Sequence, residues 1–147
     1  MAISSVVNTV RDNLKTQLTA RAGLSGVAVF KYAPIDQAPK KEMIYLGDAN
    51  SSIDFQAFGS VYEEDLDLKI FIYTLRAGAG DSVASTTESR SLALANEVID
   101  QLNDDSTING AVIVSRISNM QIENTLSDEG RICMIEMDLE AQATLSE

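Results

Sequence analysis

Histidine is absent from this chain of 147 residues, cysteine occurs once, and only 11 basic residues stand against 22 acidic ones. Each shortage removes a class of function. Without imidazole there is no Ser-His-Asp or Cys-His constellation, no usual neutral-pH acid/base and little means of building a zinc site, and no nucleophile-elbow spacing compensates. The lone Cys133 can form no internal disulfide; within Arg131-Ile132-Cys133-Met134-Ile135 it reads as a small buried strand residue with nothing to activate it. A formal charge of −11 sets the chain against nucleic-acid phosphates and anionic membrane surfaces, which disfavours non-specific DNA binding. No apolar run approaches the roughly 18 residues that span a bilayer, and Met1-Ala2-Ile3-Ser4 lacks a secretory start, so the chain reads as made and assembled in a cytosol. The composition points away from an enzyme and calls for neither metal nor cofactor.

What is present is a change of apolar period. The pattern is helix-like at 3–21, strand-like from 27 to 75, helix-like at 87–102 and strand-like again from 111 to 142. That α-β-β-β-α-β-β order predicts a single α+β domain over 1–147, with a mainly antiparallel sheet packed against two helices. In the first helix Ile3, Val6, Val7, Val10, Leu14 and Leu18 form one stripe; Ser4 or Ser5 can cap its start, Arg21 suits its negative end, and Gly23 and Gly26 supply the exit. In the second, Ser85-x-x-Glu88 fits a capping box, with Leu92, Ala95, Val98, Ile99 and Leu102 facing inward. Before it, Arg76-Ala77-Gly78-Ala79-Gly80-Asp81-Ser82 lacks the Gly-Lys-Ser/Thr ending of a phosphate loop and reads better as a connector.

Strand expectations follow from alternation. Val27–Tyr32 and Met43–Gly47 read as strands separated by a loop carrying Pro34 and Pro39. From Leu66, the series Leu66, Leu68, Ile70, Ile72 defines a buried face with Asp65, Asp67 and Lys69 opposite, until Phe71, Tyr73 and Leu75 make the second face apolar too. The intervening Asp48–Glu64 region is longer than a hairpin loop needs, and two readings stand. Ile53, Phe55 and Ala57 either extend the strand and pack inward, or sit on a projecting hairpin or loop whose aromatics anchor a partner. A turn at Ser127-Asp128-Glu129-Gly130 sets Ile122 opposite Ile135 and Met120 opposite Met137, while the switched parity of Ile113 and Ile117 predicts a bulge near Ser118-Asn119. The carboxylates Glu63, Glu64, Asp65, Asp67, Glu136, Asp138 and Glu140 are spaced as on a solvated sheet face, not converged as glycoside hydrolysis or a magnesium site requires.

Laid out in this way, the chain resembles the tail terminator, or tail completion, proteins of long-tailed bacteriophages. The resemblance is carried by the initial helix followed by Ala22-Gly23-Leu24-Ser25-Gly26-Val27-Ala28-Val29-Phe30, by Met43-Ile44-Tyr45-Leu46-Gly47-Asp48, by Asp67-Leu68-Lys69-Ile70-Phe71-Ile72-Tyr73-Thr74, and by the helix from Ser89 to Leu102. It spans most of the chain and departs from the commoner pattern in the long Asp48–Glu64 region. What the resemblance implies is a structural virion protein, assembled in the host cytoplasm. It forms a ring, usually a hexamer, at the head-proximal end of the tail tube, stops tube polymerisation and presents a surface for joining the head. Its partners are then its own copies, the tail tube protein and the head-tail connector, with DNA only as cargo passing through. Phe55, Phe58, Tyr62, Phe71 and Tyr73 are the candidate interface residues, and Asp65, Asp67, Glu136, Asp138 and Glu140 the candidate acidic channel or solvent face. Two alternatives remain open: another tail or neck subunit, such as a tube or connector protein, and a small ligand-binding regulatory domain.

Overall fold

The computed structural model describes residues 4–34, 41–55 and 61–146. Helix α1 (Val7–Ala20) and a short helical turn at Ala22–Leu24 lead into strand β1 (Ala28–Phe30), followed by β2 (Glu42–Phe55), β3 (Val61–Arg76), helix α2 (Asp81–Asp104), β4 (Val114–Ser127) and β5 (Gly130–Ser146). This is the expected α+β order. The five strands form one sheet in the order β1-β2-β3-β5-β4, with β1 parallel to β2 and every other pairing antiparallel.

Alternation decides which face the helices cover. Leu66, Leu68, Ile70 and Ile72 of β3 and Cys133, Ile135, Met137 and Leu139 of β5 share one side and are all buried. Val10, Leu14 and Leu18 of α1 and Leu94, Ala95, Val98 and Leu102 of α2 close over them in one continuous core. Among the described residues the opposite face carries no helix. At one end it holds a second small cluster in which Met43, Tyr73 and Leu75 are buried against Ala28, Phe30, Tyr45, Ile132 and Met134.

The β4–β5 hairpin has the register that its sequence predicts, with Ser127 paired to Gly130, Ile122 to Ile135 and Met120 to Met137, and an irregularity between Ile117 and Asn119. Gly130 makes the turn possible: its φ is 136°, and a Cβ there would lie 2.1 Å from the carbonyl oxygen of Arg76. A second bulge interrupts β2 between Leu46 and Ala49.

Element ends differ from expectation in five elements. Helix α1 begins at Val7, where the Ser5 hydroxyl does accept the Val7 amide at 3.1 Å. Strand β1 is confined to three residues, whereas β2 continues beyond Gly47 to Phe55 and β3 starts at Val61, before Leu66. The Ser85/Glu88 capping box is incorrect, because α2 starts one turn earlier, at Asp81 after Gly80, and runs to Asp104. Nothing in Ser82-Val83-Ala84 breaks a helix, so the apolar-periodic stretch understated its length. Past α2, Ile108 and Asn109 adopt left-handed backbone (φ 49° and 55°), held by Asp105, which accepts the Thr107 hydroxyl at 2.7 Å and the Asn109 amide at 2.8 Å, and by Asn13, which donates to the Ile108 carbonyl at 3.1 Å.

Candidate assembly surface

The β2–β3 hairpin projects past the helix layer. Its pairing runs unbroken from Ala49↔Leu68 to Phe55↔Tyr62. On the helix side Ile53 is 45% and Phe55 60% exposed, with the Phe55 ring edge-on to Tyr62 at 5.3 Å. The strand extension of the first reading is therefore real, and its inward packing is not: helix α1 begins too late to cover these positions. Phe58 and Ala57 lie outside the described residues.

Glu64 anchors the hairpin's base. Its parity places it on the helix side, where it is wholly buried, so its assignment to the solvated acidic face is incorrect. One carboxylate oxygen accepts the Ser5 hydroxyl at 2.5 Å and also the Ser51 hydroxyl; the other accepts the Val6 amide at 2.9 Å. Burial pushes this carboxyl up, but the bonds from Ser5, Ser51 and Val6 together outweigh it and hold it below the usual range. A carboxylate on β3 thus supplies the cap at the N-terminus of α1 and ties helix, β2 and β3 together.

The remaining acids share the opposite face of the sheet. Asp65 and Asp67 are exposed on β3, and Glu136, Asp138 and Glu140 are half-buried on the same side of β5, in register with Phe71, Lys69 and Asp67. Lys69 hydrogen-bonds Asp138, raising the lysine and lowering the carboxyl, and Arg116 of β4 pairs with Glu140 at 3.0 Å. Among the described residues, no group of three or more His, Cys, Asp or Glu is arranged to hold a metal ion.

Of the predicted aromatics, Phe71 and Tyr45 stack at 4.9 Å at the boundary between this acidic stretch and the apolar end of the face. Phe71 also lies over Gly47, where a Cβ would come within 2.5 Å of its ring. Tyr73 is 7% exposed, packed with Met43 and Leu75, and offers little surface of its own. An open groove of 1110 Å³ lies beside that cluster, lined by Val27, Leu75 and Val83 with Glu42, Arg76 and Ser82 among its polar groups.

Sequence reasoning missed four exposed apolar residues on or beside β4: Ile113 at 56%, Val114 at 48%, Ile122 at 39% and Leu126 at 54%. Their signal was present, since a strand whose apolar residues alternate but which ends a sheet keeps them only partly covered.

No family model matches the chain, and no curated protein sequence matches it. A chain in the solved virion of a native gene transfer agent (GTA) particle is similar in structure: the likeness covers 93% of this chain and 94% of that one, with a TM-score of 0.52 and 16% sequence identity. At that identity the correspondence is one of fold, extending over nearly the whole of both chains.

Proposed function

We propose that this chain is a structural subunit of a phage-like virion and, within it, the tail terminator: a protein that closes into a ring on the head-proximal end of the tail tube, halts tube growth and offers a surface to the head-tail connector. The observation that carries the virion reading is the end-to-end fold correspondence with a chain of the gene transfer agent particle. The finer assignment to the terminator rests on the sequence resemblance. Exposed apolar side chains at both edges of the sheet fit a subunit completed by its neighbours, and a ring is the closed form of such head-to-tail contacts. The acidic open face suits a channel through which DNA slides without sticking, because like charges prevent phosphate contacts. No catalysis belongs to this role.

Negative-stain imaging of the purified protein, alone and mixed with tail tubes, tests the reading. Closed rings, or caps on tube ends, are expected. Indefinite tubes would assign the chain to tube subunits, and small particles that ignore tube ends would overturn a virion role of this kind.

A further inference from the structure

Both edges of the sheet are unfinished, and they fit each other. Strand β1 covers only Met43–Tyr45 of β2, so among the described residues no strand lies beside the outer edge of β2 beyond Leu46, where the Arg11 guanidinium donates to the Gly47 carbonyl at 2.6 Å, or beside β4. Strands β2, β3, β5 and β4 alternate in direction, so a copy added at β4 by rotation about a ring axis brings its own β2 up antiparallel and continues the alternation. The two free segments also share a pattern. Beyond the β2 bulge, Ala49, Ser51, Ile53 and Phe55 point to the helix side, in register with Leu68, Leu66, Glu64 and Tyr62; beyond the β4 bulge, Met120, Ile122, Asn124 and Leu126 do the same, in register with Met137, Ile135, Cys133 and Arg131.

We propose that β2 of one copy, over Ala49–Phe55, pairs antiparallel with β4 of the next, over Met120–Leu126, with Ile53 opposite Ile122. This inference deepens the ring reading and rests on it. In that register Phe55 meets Met120, Ile53 meets Ile122, Ser51 meets Asn124 and Ala49 meets Leu126 on the helix side, while Asp54, Ser52 and Asn50 meet Gln121, Glu123 and Thr125 on the other. No like charges stand opposite, and four exposed apolar side chains are covered. A two-residue slide one way puts Asp54 against Glu123 and Ile53 against Asn124; a slide the other way carries Phe55 onto the bulge at Ser118. A one-residue slip turns Ile53 towards the wrong face. The footprint begins at Ala49, clear of the residues that β1 already holds. Because the two edges differ, the contact is head-to-tail and propagates from copy to copy, ending in a ring when the rotation between copies closes the circle.

The test is disulfide trapping with a mild thiol oxidant. Ile53→Cys/Ile122→Cys and Asp54→Cys/Gln121→Cys occupy adjacent rungs, one of which is the closer, non-hydrogen-bonded kind. At least one double variant should give a ladder of covalent oligomers ending at the ring size, the mixed single variants a dimer only, and the wild type, whose Cys133 is buried, nothing. Rings that form in both double variants but link at neither rung would overturn the pairing and leave the ring reading standing. Wild type that makes no ring while the double variant links into open chains would support the pairing and sink the ring. Ile122→Asp should abolish rings with unchanged thermal unfolding, and normal ring formation by that variant would overturn the pairing.

Discussion

Glu64 shows how one buried carboxylate can join three elements. Glu64→Ala removes the acceptor for two hydroxyls and a helix-terminal amide, and should cost about 2 kcal/mol in urea unfolding. Its carboxyl is depressed in the folded state, so the stability it contributes is fully present above the unfolded value of about 4.3 and is lost as pH falls through the folded value. Acid unfolding of the wild type should therefore steepen below that point, and Glu64→Ala should flatten the steepening; identical pH profiles would show that the cap is unimportant. This residue was legible in principle, since Glu64 has the parity of Leu66 and Leu68. Its acidity outweighed its position. Glycines give a second residue-scale comparison. Gly130→Ala meets both a φ of 136° and a carbonyl at 2.1 Å and should cost roughly 3 kcal/mol, whereas Gly26→Ala, at φ 83° with open space around it, should cost about 1 kcal/mol. Chemical denaturation of the pair checks the ranking.

At the scale of elements, local patterns were read best. The β4–β5 register and its bulge followed from alternation plus a turn ending in glycine, because a hairpin's partners are neighbours in sequence. How far the helix layer reaches over the sheet is a tertiary matter, so alternation could not say whether Ile53 and Phe55 pack inward. The β2–β3 hairpin carries the matching prediction. Phe55 is 60% exposed, and Phe55→Ala should cost the subunit less than about 1 kcal/mol in thermal unfolding. As a desolvated anchor between subunits the same ring contributes on the order of 2 kcal/mol, so ring formation, followed by light scattering, should need at least tenfold more protein. A large fall in melting temperature with unaltered assembly would place Phe55 in the core of the subunit instead.

For the whole molecule, a charge of −11 opposes self-association, and the proposed edge pairing must act against it. Adding salt to a dilute sample screens the repulsion beyond about 8 Å at physiological ionic strength and less than that above it, and leaves apolar edge contacts intact. Static light scattering should therefore show the balance moving from monomer towards rings as salt rises; the opposite trend would mean that ion pairs drive assembly. Glu136→Gln with Asp138→Asn should leave folding intact and slightly promote rings by removing two charges from the open face.

The position of β5 has a consequence for how subunits are produced. It is last in the chain order of the strands yet sits between β3 and β4, so the β2–β3 half of the sheet and the β4 edge have no connection through strands until β5 threads the gap. A nascent chain on the ribosome holds two incomplete halves, and the slow, sequence-distant pairing of β3 with β5 comes at the end. Under the proposed pairing, both edges then become available together, once β5 is in place. A prematurely terminated chain lacking β5 presents no correctly placed β4, and in the proposed ring it would be excluded rather than poison assembly.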